Sequence, residues 1–458
     1  MAGTIGAFPT GRGQVAGPDD VDRAGAFLEE SGVHTVECMF PDTWGVPRGK
    51  RLPTSQFLKT TERGFAIANV AFTWDMHCFI FPTGFVNEAT GYPDMHAVPD
   101  LSTLRLAGYR DRTAFCICDT IDLDTHEPVV LDGRNILRRT LERVGPAGYE
   151  SVAATELEFH LCTPDWEPFY RGVHCYSIVK GAEVEPVVGE IRRVLDVAGI
   201  TVEACNVEYG PAQVEVNLGY GAALDVADAT MVFKYVVKQV AQSQGLRATF
   251  MPKPYMGEAG NGLHIHQSLR GPDGENAFAL KDEGAPLYSS LMRRCLAGLV
   301  AHQKELQAVM CPTVNGYKRV EDYSFAPTQV SWGLDHRLVG VRTVVDQGEA
   351  TRLEARWASA DANPYLVLAG CIAAAVDGLE QEHELPPMVS GDPHVDASLE
   401  RLPVSLEDAA SNFAASEFAR RVYGDVFVDT FLEMLQHEIG LYAREVTSWE
   451  LERYREVM

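Results

Sequence analysis

Thr155-Glu156-Leu157-Glu158-Phe159-His160-Leu161 alternates between polar or ionisable and apolar side chains. In a β-strand this places Glu156, Glu158 and His160 on one face and Leu157, Phe159 and Leu161 on the other, because successive side chains point to opposite sides of a sheet. The alternation recurs further along the chain. Gln213, Glu215 and Asn217 oppose Val214, Val216 and Leu218; His264, His266 and Ser268 oppose Leu263, Ile265 and Leu269; Arg352, Glu354 and Arg356 oppose Leu353, Ala355 and Trp357. One such strand is the ordinary edge of a solvated sheet. Together they lack Lys and are rich in Glu, His and Arg, which a solubilising face does not require.

Set side by side, these strands would put the carboxylates of Glu156, Glu158, Glu215 and Glu354 in one cavity with His264. Such carboxylates repel one another unless cations lie between them. Oxygen-rich ligation with one imidazole suits Mg²⁺ or Mn²⁺ better than Zn²⁺. Arg319, Arg337, Arg342, Arg352 and Arg356 crowd into a short stretch of an otherwise acidic chain and offer a local site for phosphates or carboxylates. Divalent ions beside arginines point to a phosphorylated substrate, most often a nucleotide. Neither GxxxxGK[ST] nor a strand followed by GxGxxG occurs, so phosphate binding must rest on metals and arginine.

With 458 residues, 46% of them hydrophobic, the chain can build one large and one smaller core. A net charge of −25 argues against nucleic acid or an anionic membrane as partner. The longest apolar runs fall short of a bilayer span and the N-terminus lacks a secretory pattern, so a cytoplasmic protein is expected. Its ten cysteines contain no CxxC pair and read as reduced core thiols. Residues 1–17, rich in Gly and Pro, are expected to be a flexible tail, followed by a helix and a mainly β unit over 18–110. Strands alternating with helices over 111–458 form the second unit. Its helices are predicted at 133–144, 184–198, 223–244, 286–308, 363–380, 405–421 and 426–457.

These stretches resemble the glutamine synthetase family over nearly the whole chain. Asp42-Thr-Trp-Gly45-Val-Pro-Arg48-Gly49-Lys50 is similar to the family's DxxGxxRGK segment, Glu156-Leu-Glu158-Phe159 to its ExEF strand, and Glu208-Tyr-Gly-Pro-Ala-Gln213-Val-Glu215 to its E…GQxE segment, with alanine where glycine is usual. Gly260-Asn-Gly262-Leu-His264-Ile-His266-Gln-Ser268, Asn315-Gly-Tyr317-Lys318-Arg319, Arg337, Arg342 and Arg352-Leu-Glu354-Ala-Arg356 follow in family order. The resemblance implies an α+β protein: a β-grasp-like N-terminal domain, then a large catalytic domain of glutamine synthetase/guanido kinase type with a curved antiparallel sheet. It implies one divalent ion, Mg²⁺ or Mn²⁺, held by Glu158, Glu208 and Glu215, and another held by Glu156, His264 and Glu354. Gly260, Arg319 and Arg356 match positions that hold glutamate. Arg337, Arg342 and Arg352 match arginines around the ATP phosphates, and His266 and Ser268 match nucleotide contacts. Arg337, Arg319 and Arg356 are the expected catalytic groups. The implied assembly is a homo-oligomer, a dodecamer of two hexameric rings with each site at a subunit junction.

The implied reaction passes through γ-glutamyl phosphate, which an amine then attacks. In relatives that use ammonia, a glutamate six residues after the arginine matching Arg319 closes over the site; counting the same distance here reaches Phe325. The family's small-domain aspartate is also missing from Ala66–Asp75. These losses predict an apolar pocket, walled by Phe325, Trp74 and Phe72, for an alkyl, aromatic or polyamine substrate rather than ammonia. Glu321 or Asp322 could instead replace the missing glutamate. Asp322, Asp75 and the departing phosphate are alternatives for taking the amine's proton. Two rival readings stand beside this one: an ammonia-using glutamine synthetase, and a non-catalytic structural or regulatory family member.

Overall fold

The computed structural model describes residues 18–145, 148–280, 288–346, 348 and 350–457. The expected tail at 1–17 lies outside the described residues. After a helix over Pro18–Glu30 come strands β1 (Thr35–Pro41), β2 (Pro47–Pro53), β3 (Phe65–Ala68), β4 (Asp94–Pro99), β5 (Arg105–Leu106) and β6 (Thr113–Asp122). They form a small sheet in the order β2-β1-β6-β4-β3, with β5 on β6. Strand β1 runs parallel to β6 while the other pairs are antiparallel. The second unit was expected to begin at residue 111, yet β6 is the middle strand of the small sheet. Its run Thr113-Ala-Phe-Cys-Ile-Cys-Asp-Thr is buried by that sheet's own neighbours, which carries the small unit through Asp122.

A second sheet contains β7 (Glu150–Cys162), β8 (Val202–Val207), β9 (Gln213–Leu218), β10 (Gly221–Ala222), β11 (Arg247–Thr249), β12 (Gly262–Arg270), β13 (Trp332–Leu334), β14 (Val341–Val344) and β15 (Arg352–Ser359). Its order is β13-β14-β15-β12-β7-β9-β8, with β10 and β11 attached to β7, and only β13 and β14 are parallel. The apolar halves of the alternating strands are inside: Leu157, Phe159, Val216, Leu263, Ile265 and Leu353 are fully buried. Helices Ile178–Val197, Ala223–Ser243 and Pro364–Glu380 contribute to the same core, the last buried almost throughout because its sequence is nearly all apolar.

Three long predicted helices are interrupted. The one expected over 286–308 divides at His302 into Ser290–Ala301 and Gln303–Met310, its first residues lying outside the described ones. The 405–421 helix breaks at Ser416, whose hydroxyl accepts the Ala419 amide and starts a new helix at Glu417. That over 426–457 stops at Ala443 and restarts at Ser448 behind a capping box of Thr447 and Glu450. The 184–198 helix begins earlier, at Ile178, capped by Ser177. The two units meet tightly at Gly45, where φ is +77° and a Cβ would lie 2.9 Å from the Asn363 Cα. The Asn363 amide donates there to the Asp42 and Thr43 carbonyls at 3.1 and 3.2 Å.

Candidate active site

Register aligns the ionisable residues across the large sheet. Glu156 pairs with His264 across β7 and β12, Glu158 with Glu215 across β7 and β9, His266 with Glu354 across β12 and β15, and Arg342 with Glu354 across β14 and β15. His264 Nδ1 is 3.3 Å from Glu156 Oε2 and 3.6 Å from Glu354 Oε1, and His266 Nε2 is 3.0 Å from Glu156 Oε1. Glu354 is fully buried and takes Arg342 Nη1 at 2.8 Å and Arg356 Nη1. Burial by itself would raise its carboxyl; Arg356 and the two histidines outweigh this and bring it down to about 2. Glu156 is likewise held well below the usual carboxylate range, the His264 and His266 hydrogen bonds overcoming burial.

The other end of the face behaves oppositely. Burial, with Glu156, Glu158 and Glu208 nearby, pushes Glu215 up to about 9. Glu208 rises for the same reasons, burial first and Glu158 second, despite hydrogen bonds from Asn206 Nδ2 at 2.8 Å and the Tyr209 amide at 3.1 Å. Carboxylates raised this way have an unmet need for positive charge, and oxygen donors in this number fit a hard divalent cation. Glu156, Glu215 and His264 offer donor atoms within 4.8 Å of one another, as do Glu156, His266 and Glu354. Glu156 and Glu354, expected to share an ion with His264, both lie beside it, and other groupings occur on the same face. Glu215 faces Glu156 and His264, while Glu158 accepts the Gly262 amide and Gln213 Nε2, and His266 lies among the carboxylates.

Beside the His266 end opens a cavity of about 390 Å³, lined by Glu156, Tyr220, His266, Ser268, Arg270 and Arg352 among others. Arg352 Nε donates to His266 Nδ1 at 2.9 Å, so this guanidinium is fixed at the cavity edge. Arg342 is oriented from its outer side by Asp335 Oδ1 at 2.6 and 3.0 Å. Arg319 is buried, donates to the Ala358 carbonyl at 3.4 Å, and has Glu158 and Arg356 as charged neighbours. Gly260 leaves it room: a Cβ there would lie 2.2 Å from the Pro252 carbonyl and 3.1 Å from the Arg319 side chain. Arg337 is exposed, and its carbonyl accepts from Arg356 Nε at 3.2 Å.

The residues expected to wall an amine pocket are not brought together. Phe325 is 49% exposed, and its ring meets Tyr209 edge-on at 5.3 Å, next to Glu208. Phe72 cannot be a pocket wall: it is fully buried, 5.5 Å from Phe40 in the small-unit core, where the apolar run around it drives it inward. Trp74 is half-buried beneath the Arg48 guanidinium at 4.9 Å, and no ring contact joins it to Phe325 among the described residues. Asp322 is engaged by Thr328 Oγ1 at 2.6 Å and Arg401 Nη2 at 3.0 Å, and Asp75 by the amides of His77 and Phe79 at 2.9 and 2.8 Å. His160, on the ionisable side of the opening motif, is a packing residue: it is buried against the Tyr255 ring at 5.4 Å, and burial pushes its imidazole down to about 4. Tyr209, Tyr220 and Asn206 were not anticipated. They sit at strand ends and in turns, where no periodic signal marks a residue as facing the site.

A carboxylate-rich sheet face, a cavity at one end and arginines on the neighbouring strands fit an enzyme that handles a phosphorylated substrate beside divalent cations. Residues 130–454 match the family model described as glutamine synthetase, catalytic domain. The chain belongs to the glutamine synthetase family, whose members are ATP-dependent ligases that use divalent metals, and it is an enzyme of that class. It is 36% identical to a glutamate–isopropylamine ligase from Pseudomonas sp. over 94% of this chain and 97% of that one. It is 35% identical to the γ-glutamylethanolamide synthetase GlnA4 of Streptomyces coelicolor, over 96% of each chain. Among solved structures, a complex of GmaS with ADP superposes with a TM-score of 0.84 at 28% identity, covering 94% of this chain and 99% of that one. Among the described residues no helix is long and apolar enough to cross a membrane, and all ten cysteines are free.

Proposed function

We propose that this chain is a cytoplasmic ligase that joins an alkyl or aromatic amine, rather than ammonia, to the γ-carboxylate of glutamate at the expense of ATP. The observation that carries the choice of amine is the Tyr209–Phe325 pair, an apolar aromatic wall beside Glu208 on the side of the sheet away from the nucleotide cavity. A small ammonium ion gains little from such a wall, whereas an apolar substituent loses contact with water there. Relatives acting on isopropylamine and forming an ethanolamide agree with this direction.

In this reading ATP occupies the cavity at His266 and Ser268, with Arg337, Arg342 and Arg352 facing its phosphates. Arg319 and Arg356 hold glutamate, next to Gly260. Glu156, Glu158, Glu208, Glu215, His264 and Glu354 are the side chains to hold Mg²⁺ or Mn²⁺, with His266 adjoining them. When bound, such ions neutralise phosphate charge and orient the γ-phosphoryl group. A γ-carboxylate oxygen of glutamate attacks the terminal phosphorus and ADP departs. The amine nitrogen then attacks the acyl carbon of γ-glutamyl phosphate, the C–O bond to phosphate breaks, and the nitrogen gives up a proton. Asp75 and Asp322 are both tied down by hydrogen bonds, which favours the departing phosphate as the group that accepts it. The aromatic wall also limits water, whose attack would waste the acyl phosphate.

A neighbouring subunit completes the mouth of the site. The helix Ser448–Tyr454 buries none of its residues in the protomer and exposes Trp449, Leu451 and Tyr454, which supports a homo-oligomer; a double-ring dodecamer is the expected form, to be read by light scattering. The amine is tested by incubating the purified enzyme with ATP, glutamate and a panel of amines, with products identified by mass. Turnover is expected with alkyl or aryl amines at kcat/KM at least about tenfold above ammonium, and Phe325→Glu should narrow that ratio. Efficient turnover on ammonium alone would replace this reading.

A further inference from the structure

Remote from the carboxylate face, the fold brings two histidines onto a single aspartate. His302 lies between helices Ser290–Ala301 and Gln303–Met310, Asp377 near the end of Pro364–Glu380, and His383 in the segment that follows. His302 Nε2 is 2.9 Å and His383 Nε2 2.7 Å from the same oxygen, Asp377 Oδ2, and the donor atoms all lie within 4.8 Å of one another. The surroundings are finished to match. His302 Nδ1 is 2.9 Å from Glu305 Oε2, which also accepts from Ser416 Oγ at 2.9 Å. Arg421 Nη2 holds the other oxygen of Asp377 at 2.9 Å, and Phe418 stacks on the His302 ring at 3.6 Å.

Glu305 is placed to accept a hydrogen bond from the Nδ1–H of His302, and in that tautomer Nε2 carries a lone pair. The Nε2 atoms of His302 and His383 converge on one carboxylate oxygen: protonated, each donates a hydrogen bond to it; deprotonated, they join it as a three-donor set for a cation. We propose that His302, Asp377 and His383 form a binding site for a divalent transition ion of the zinc type. Two imidazoles and one carboxylate suit Zn²⁺ or Co²⁺ and not Mg²⁺. The His302–Glu305 contact is the outer-shell support that metal-bound imidazoles carry, and it keeps Nε2 free to ligate. His302 and Asp377 are buried while His383 is partly exposed, so the ion enters from the His383 side and a water completes the tetrahedron. Zn–N and Zn–O bonds of about 2.0–2.2 Å set neighbouring donors ~3.3 Å apart, so both nitrogens draw back from Asp377 Oδ2 as the ion enters. The segment after His383 is pinned to β13 by Val389 N to the Trp332 carbonyl at 3.0 Å and by Trp332 Nε1 to the Pro386 carbonyl at 2.8 Å. Because β13 leads into the loop carrying Arg337, an ion here braces the support of that loop.

The full-length enzyme, stripped of trace metals and saturated with Mg²⁺, is titrated with Co²⁺ and with Zn²⁺ beside His383→Ala and His383→Cys. Wild type is expected to bind one more equivalent per chain than His383→Ala, with the visible absorption of tetrahedral Co²⁺, and to gain a few degrees in Tm from Zn²⁺ that His383→Ala does not gain. His383→Cys should keep the equivalent and add a thiolate-to-Co²⁺ charge-transfer band, which no hydrogen-bonded tie produces. Equal stoichiometry and spectra in wild type and His383→Ala, or a Cys variant without that band, would overturn the site. Unchanged circular dichroism and Mg²⁺-dependent phosphate release in both variants establish that the fold is intact.

Discussion

Arg134, at the junction of the two units, is fully buried and meets Asp100 at 2.8 Å, Asp228 at 3.0 Å and Asp119, while Arg138 reaches Asp119 at 2.7 Å and Tyr365 donates to Asp228 at 2.7 Å. On the open face of the large sheet Glu158, Glu208 and Glu215 are neighbours too, yet none forms an ion pair with lysine or arginine among the described residues. The first cluster carries its own cations; in the second the carboxyls of Glu208 and Glu215 are pushed upward and await cations from outside. Crowded carboxylates alone therefore do not mark a site. What marks it is the charge the chain declines to supply.

The largest effect should come from breaking the self-sufficient cluster. Arg134→Met leaves three carboxylates buried without their guanidinium and is expected to cost about 3–5 kcal/mol, read as a drop in Tm or loss of soluble protein. On the other cluster Glu208→Gln should not lower Tm but should lower kcat on the order of 100-fold or more. If Arg134→Met were as stable as wild type, or Glu208→Gln unfolded the enzyme, the contrast would collapse. A milder test uses metal removal. Saturating Mg²⁺ should stabilise wild type by about 3 kcal/mol at a hundredfold excess over Kd, and chelation should reverse this. Glu215→Gln is expected to exceed metal-free wild type in Tm near pH 7, since it removes a carboxyl that burial has pushed up, and to lose most of the Mg²⁺-dependent gain.

Much of this contrast was legible before any coordinates. The alternation around Glu156, Glu215, His264 and Glu354 fixed which faces would be buried, since period two leaves no freedom once Leu157 or Ile265 must go inside. The order of the strands did not follow from it: β12 sits between β7 and β15 although long helical stretches separate them in sequence. Helix breaks at Ser416 and Thr447 were written as capping residues but hidden by apolar spacing that runs on through them. Phe72 and Phe325 show the limit for single residues. Both are aromatics near segments that depart from the family, but one packs into a core and the other stands at φ 63° on a loop, and only tertiary contacts separate the two. Arg134 was missed because a lone arginine in an amphipathic helix carries no sign of the three aspartates that distant segments bring to it.

The smallest expected effect refines the meaning of a supplied cation. Asp132 caps the helix Gly133–Val144, accepting the Arg134 amide at 2.8 Å and Thr120 Oγ1 at 2.7 Å, beside the buried arginine. Burial nevertheless pushes its carboxyl up to about 6, with Asp119 adding to the rise and Arg134, which also meets three other aspartates, offsetting only part of it. Between the unfolded value of about 3.8 and this one the folded protein binds more protons than the unfolded chain, so the Asp132 contribution to stability falls as pH rises through that window and is level above it. Asp132→Asn keeps the cap and removes the titration. The variant should equal wild type near pH 4 and exceed it by about 2 kcal/mol near pH 7, measured as the difference between their denaturation midpoints across pH. A difference independent of pH would mean that Arg134 offsets the burial of Asp132 in full, and that the cluster holds more positive charge than its three ion pairs account for.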